Sequence, residues 1–101
     1  MKLFVDTSDN KKTIVGLDNH RLEKPTGPDK SQQVLGLINR ILRKHHTSID
    51  QITEIEVNTG PGSFTGLKVG VSVANALGWS LKIPVNGKKV FEGEIVEPKY
   101  E

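Results

Sequence analysis

The chain has 101 residues, 26% of them charged, with a formal net charge of +2 and an isoelectric point near 9.0. That length fits one domain with a single modest core and excludes a second domain. The absence of cysteine excludes a disulfide framework and a thiolate metal site, and no apolar run is long enough for a signal or a membrane span, so a cytoplasmic address is expected.

The first predicted element is the continuous apolar run Leu3-Phe4-Val5, the pattern of a strand covered on both faces. Thr13 to Leu17 reads as its hairpin neighbour across the Ser8-Asp9-Asn10-Lys11 turn. Asp18-Asn19 is a second turn signal, and His20 to Lys24 is polar enough for an exposed edge strand that ends at Pro25-Thr26-Gly27-Pro28. A helix then starts at Asp29, whose carboxylate can cap it while Gln32 reaches back. Its apolar stripe is Val34, Leu35, Leu37, Ile38, Ile41 and Leu42. Arg43, Lys44, His45 and His46 sit in its last turn, where positive charge suits the carbonyl end of the helix dipole. Adjacent histidines diverge by about 100° on a helix and no third ligand is evident, so no metal site is expected there.

After a connector through Ser48-Ile49-Asp50-Gln51, Glu54 to Asn58 reads as a strand, followed by the run Gly60-Pro61-Gly62-Ser63-Phe64-Thr65-Gly66. The spacing fits neither the dinucleotide fingerprint nor the P-loop. Two readings stay open: a strand-to-helix turn whose glycines serve packing, and a loop whose N–H groups converge on an anion at a helix start. The helix that follows, from Ser63 or Thr65 to Leu81, is apolar nearly all round, with Lys68, Ser72, Asn75 and Lys82 as a narrow polar strip beside Trp79. Gly66, Gly70 and Ala74 form a smooth track at intervals of four, suited to close approach of another backbone. Pro84-Val85 closes the pattern as a short last strand.

The order βββαβαβ thus predicts an α/β fold with a mixed five-stranded sheet and two helices, one half of an actin-like or RNase H-like architecture. Residues 1–87 form the expected lobe. Residues 88–101 form a tail that Asn86-Gly87 could turn back as an added strand.

The run Thr59 to Gly70, with Ala74, Ala76 and Ile83-Pro84-Val85 after it and Leu3-Phe4-Val5-Asp6-Thr7-Ser8 at the start, closely resembles the TsaB (YeaZ) family. These bacterial proteins serve in making threonylcarbamoyladenosine in tRNA, on the fold of the sugar kinase, Hsp70 and actin (ASKHA) superfamily. The resemblance covers residues 2–87, the first of the family's two lobes, and Pro98-Lys99-Tyr100 is similar to a Pro-x-Tyr near the end of longer members. It implies a noncatalytic subunit that pairs through its helices with itself, as a homodimer, or with TsaD, the homologous catalytic subunit. TsaE is a further expected partner. The expected interface is Leu37, Ile41, Gly66, Gly70, Val71 and Ala74.

The superfamily's kinases hold phosphate at the end of the first strand, which makes Asp6, Thr7, Gly60, Gly62, Ser63, Thr65 and Gly66 candidate phosphate-binding residues. With one lobe, no cofactor is expected to bind independently, and ATP with magnesium only in the complex. An alternative is a nucleotide half-site completed by homodimerisation, and another is a self-associating module without a tRNA role. Asp6 and Asp18 could converge as paired carboxylates for magnesium, but no nucleophile and base are readable together and no catalytic residue is assigned. Basic clusters at Lys11-Lys12, Arg40 to His46 and Lys88-Lys89 are interleaved with acids and lack aromatic platforms, so tRNA contact is expected to be indirect or shared.

Overall fold

A computed structural model describes residues 1–99. Three antiparallel strands open the chain: β1 (Lys2–Asp6), β2 (Lys12–Leu17) and β3 (His20–Pro25). Helix α1 (Lys30–Lys44), strand β4 (Glu54–Val57) and helix α2 (Phe64–Leu81) follow, with short 3-10 turns at Ile49–Gln51 and Val90–Glu92. The sheet order is β3-β2-β1-β4, and β4 runs parallel to β1. Leu3 faces Leu17 on one side and Ile55 on the other, and Val5 likewise faces Val15 and Val57.

Period-two alternation decides which face is covered. Leu3, Val5, Val15, Leu17, Ile55 and Val57 point at the helices and are buried. Phe4, Asp6, Ile14, Gly16, Arg21 and Glu56 lie on the opposite face, where the Arg21 guanidinium stands 4.1 Å from the centroid of the Phe4 ring. Helix α1 lies over β2 and β3, and α2 over β1 and β4. Val34, Leu37, Ile38 and Ile41 of α1 meet Val71 and Ala74 of α2 above the strands to form one core.

The Asp29 cap expected from the sequence forms, and Ser63, which the sequence reading did not assign as a cap, starts α2. The Asp29 carboxylate accepts from the Gln32 N–H at 3.1 Å, and Ser63 caps α2 by accepting from the Gly66 N–H at 3.4 Å.

Two expectations are corrected. The fifth strand is a single bridge between Val85 and Ile55, so the sheet has four strands among the described residues. Pro84 has no N–H to donate, and Asn86 (φ 50°) and Gly87 (φ 77°) turn the chain at once, which leaves no room for a ladder. The predicted turn does form, with Val85 and Lys88 exchanging backbone hydrogen bonds at 2.9 Å each way. Among its described residues the tail beyond it forms no strand. It is a strap that buries Val90 and Val96, accepts a hydrogen bond from Asn75 Nδ2 at Val96 O (2.9 Å), and donates from Lys99 N to Thr59 O (2.7 Å). Tyr100 of the Pro-x-Tyr lies outside the described residues.

Candidate functional site

The glycine-rich junction is tied to the end of β1 by a dense set of hydrogen bonds. Asp6 Oδ1 accepts from the Ser8 N–H (2.9 Å) and hydroxyl (2.6 Å), and Ser8 Oγ accepts from Asn58 Nδ2 (3.2 Å). The Ser8 carbonyl accepts from Ser63 N at 2.7 Å, and the fully buried Thr7 hydroxyl donates to the Gly66 carbonyl at 2.5 Å. Asn58 Oδ1 accepts from Gly60 N at 2.9 Å. The Gly60-Pro61 peptide is cis and Gly60 has φ 127°, a conformation glycine tolerates best.

This geometry favours packing over the phosphate-cradle reading of Asp6, Thr7, Gly60, Gly62, Ser63, Thr65 and Gly66. The N–H groups of Gly60, Ser63 and Gly66, which an anion would need, are committed to Asn58, Ser8 and Ser63. Thr7 is sealed from solvent. The chain itself fills the space over the glycines: a Cβ on Gly62 would stand 2.6 Å from Ser8 Cβ, and one on Gly60 would stand 2.6 Å from the Lys99 carbonyl oxygen. Thr65 is exposed, one residue beyond this closed knot. With these N–H groups committed, no step through ATP follows from the loop. The loop's product is mechanical, because it fixes where α2 starts relative to β1.

Asp6 and Asp18 do not converge. Asp18 accepts from Lys2 N at 2.9 Å at the opposite end of β1 from Asp6, so no carboxylate pair forms. Among the described residues no group of three or more metal-ligating side chains is assembled. His45 stacks on His20 with ring centroids 4.0 Å apart, joining the end of α1 to the start of β3. Desolvation first, then the like charges of His20, Lys44 and His46, hold the His45 imidazole below its ordinary pKa of 6.5.

The expected interface is also corrected. Leu37, Ile41, Gly66, Gly70, Val71 and Ala74 are all buried within the single chain. The smooth glycine track does admit close approach, but what approaches is β1: a Cβ on Gly66 would collide with the Thr7 carbonyl, and one on Gly70 with the Thr7 hydroxyl. The face of α2 left to solvent is the opposite one, with Lys68, Ser72, Ala76 and Trp79 exposed and Val69 and Val73 half-buried beside them. Trp79 is 67% exposed, unusual for so large an apolar side chain. The sequence signal for this strip was the polar line of Lys68 and Ser72 beside Trp79; the glycine spacing pointed to the wrong side.

The fold places the chain among ASKHA-like lobes. It superposes on YeaZ from Pseudomonas aeruginosa with a TM-score of 0.70 at 23% identity, over 83% of this chain and 41% of that one. A second solved structure, a protein similar to that YeaZ, gives 0.71 at the same identity and covers 40% of its chain. A family model described as TsaD, tRNA N6-adenosine threonylcarbamoyltransferase, matches residues 26–101. The TsaB biosynthesis protein of Buchnera aphidicola subsp. Baizongia pistaciae is 32% identical over 85 residues, 81% of this chain and 38% of that protein. The tRNA N6-adenosine threonylcarbamoyltransferase of Nitrosospira multiformis is 39% identical over 70 residues, 69% of this chain and 20% of the enzyme. The chain belongs to the TsaB/YeaZ family and also matches the TsaD model over three quarters of its length. It spans about two fifths of the length of the TsaB and YeaZ relatives and one fifth of that of the transferase.

Proposed function

We propose that this chain is a noncatalytic TsaB-like subunit that docks on a TsaD-like catalytic subunit and activates it for threonylcarbamoyl transfer to adenosine 37 of tRNA. The observation that carries this reading is the outer face of α2. Small side chains at Ser72 and Ala76 allow a partner helix to approach, and Trp79 supplies a rigid anchor of the kind that dominates interface energetics. No reacting group is needed here, since binding one conformation of the partner better than another shifts its population. The likeness of this one lobe to both TsaB and TsaD proteins supports a quasi-symmetric pairing, with a homodimer as the resting form in the absence of partner. TsaE joins the same assembly, any ATP and magnesium enter through the other subunits, and a cytoplasmic address accompanies the role.

The test is co-purification with the TsaD-like and TsaE-like proteins of the same genome, scored by tRNA modification. The native chain is expected to form the complex, and Ala76→Arg to abolish it with little change in stability, because position 76 is exposed. A complex that forms equally well with Ala76→Arg would overturn the assignment of this face. The absence of any complex with the native chain would overturn the function.

A further inference from the structure

Charge that is interleaved with acids along the sequence is separated in space. Residues 20–46, which make β3 and α1, hold six of the chain's cations and two of its acids, a net of +4 that leaves −2 for the remainder of a chain whose total is +2. Helix α1 contains no acidic residue. Both acids of the segment are engaged, Glu23 by Lys12 at 3.5 Å and Asp29 as the cap of α1. Lys30 is turned to the Thr7 and Asp9 carbonyls, and Arg21 lies over Phe4 on the far face of the sheet. Lys24, Arg40, Arg43 and Lys44 remain, and among the described residues the only ion pairs are Lys2 with Glu56 and Lys12 with Glu23.

Two of these cations, Lys24 and Arg40, line one feature. An open groove of about 530 Å³ runs between β3 and α1, lined by Lys24, Pro25, Asp29, Gln32, Gly36 and Arg40, with no atom within 4 Å of where a Gly36 side chain would begin. Lys44 lies one turn along α1 from the groove-lining Arg40, and Arg43 sits beside them on the helix.

We infer that this groove and its basic rim bind the phosphate backbone of RNA directly. The inference rests on the proposed role in tRNA modification for the choice of RNA, but its physical warrant is the surface itself. None of the exposed large apolar side chains that would anchor a protein partner lines the groove, Leu35 beside Gly36 on α1 being the nearest in the chain. Nucleic-acid interfaces are instead polar and strongly positive. No exposed Phe, Tyr or Trp of the described residues stands on the rim, so bases are not stacked or read. The contact positions an RNA and does not select its sequence. Direct binding departs from the expectation of indirect contact, which weighed charges in chain order; in the fold Glu23 is paired with Lys12, and Asp29 caps α1 from within the groove lining.

The test is fluorescence anisotropy of the full chain with an unmodified tRNA transcript and with an RNA hairpin of unrelated sequence, titrated at 50–200 mM potassium chloride. Both RNAs are expected to bind with similar affinity and a steep salt dependence. Neutralising Arg40→Gln, Arg43→Gln and Lys44→Gln together should weaken binding at least tenfold at the lowest salt and reduce the slope of log K against log salt by about 2–3. A control that removes the same charge elsewhere, Lys82→Gln with Lys88→Gln and Lys89→Gln, should lose far less. The inference is overturned if the first triple variant binds like the native chain or if the control loses as much. It is equally overturned if a polyglutamate peptide or a phosphatidylserine vesicle binds as well as RNA at equal salt. Co-purification of the first triple variant with the TsaD-like subunit separates the two proposals. Retained pairing with lost RNA binding supports both, and lost pairing with retained RNA binding overturns the groove alone.

Discussion

A hydroxyl sealed from water must find a partner, and Thr7 Oγ1 finds the Gly66 carbonyl within the first turn of α2. The contact is possible only because Gly70 leaves room for it. Gly70→Ala would gain up to about 1 kcal/mol of helix propensity, yet it drives a methyl into that hydroxyl. A net loss of about 1–3 kcal/mol is expected by urea unfolding. Thr7→Ala alone should cost about 1 kcal/mol through the lost hydrogen bond. Combined, the two changes should cost clearly less than their sum, since the second removes the atom that the first strikes. Strict additivity would show that Gly70 matters for another reason. His45 offers a second test at this scale. Its imidazole is held below 6.5 in the folded chain, so the unfolded state binds more protons on acidification, and stability present above pH 6.5 declines as pH falls through the folded value. The melting temperature is expected to drop between pH 7 and pH 5.5, and His45→Gln should flatten that drop.

Element by element, legibility in the sequence tracked how one-sided each segment is. The 3.6-residue stripe locates α1, while β1 reads as an apolar run and β3 as a polar edge between turn signals. The run at β1 suggests cover on both faces, but the helices cover only the face of Leu3 and Val5. Pro84-Val85 has strand composition but neither the donor nor the length to hold a ladder. Helix α2 is the instructive failure. A helix apolar nearly all round states that it needs cover but not from where, and the Gly66-Gly70-Ala74 track that suggested a partner is consumed by β1. The strap was illegible for a related reason, since two buried valines in a polar tail carry no period. Val96 is 4% exposed and its carbonyl holds Asn75, so the strap belongs to the folded unit. Val96→Ala should cost about 1–3 kcal/mol, and hydrogen exchange should show the amides near Thr59 and Lys99 opening with it. Unchanged stability would mean that the strap is detached in solution.

On the scale of the whole molecule, the two proposed surfaces lie on opposite sides. The sheet order puts β3 at one edge and β4 at the other, α1 covers the first and α2 the second, and the core binds them into one body with a radius of gyration of 12.5 Å, close to the ~13 Å of a compact chain this size. The outer strip of α2 and the groove beside β3 therefore face different neighbours and can be occupied together. This separation makes a joint prediction that neither surface makes alone. Trp79 is the only tryptophan and is 67% exposed, so its emission reports burial of the α2 face. Adding the TsaD-like subunit should shift that emission to shorter wavelength, while adding RNA to the lone chain should leave its wavelength unchanged. Ala76→Arg should abolish the first response and keep RNA affinity. Neutralising Arg40, Arg43 and Lys44 should do the reverse, because distant sites that share no partner act independently. A variant of one face that disables both would place the two surfaces on a single interface and require the partner to reach across α1.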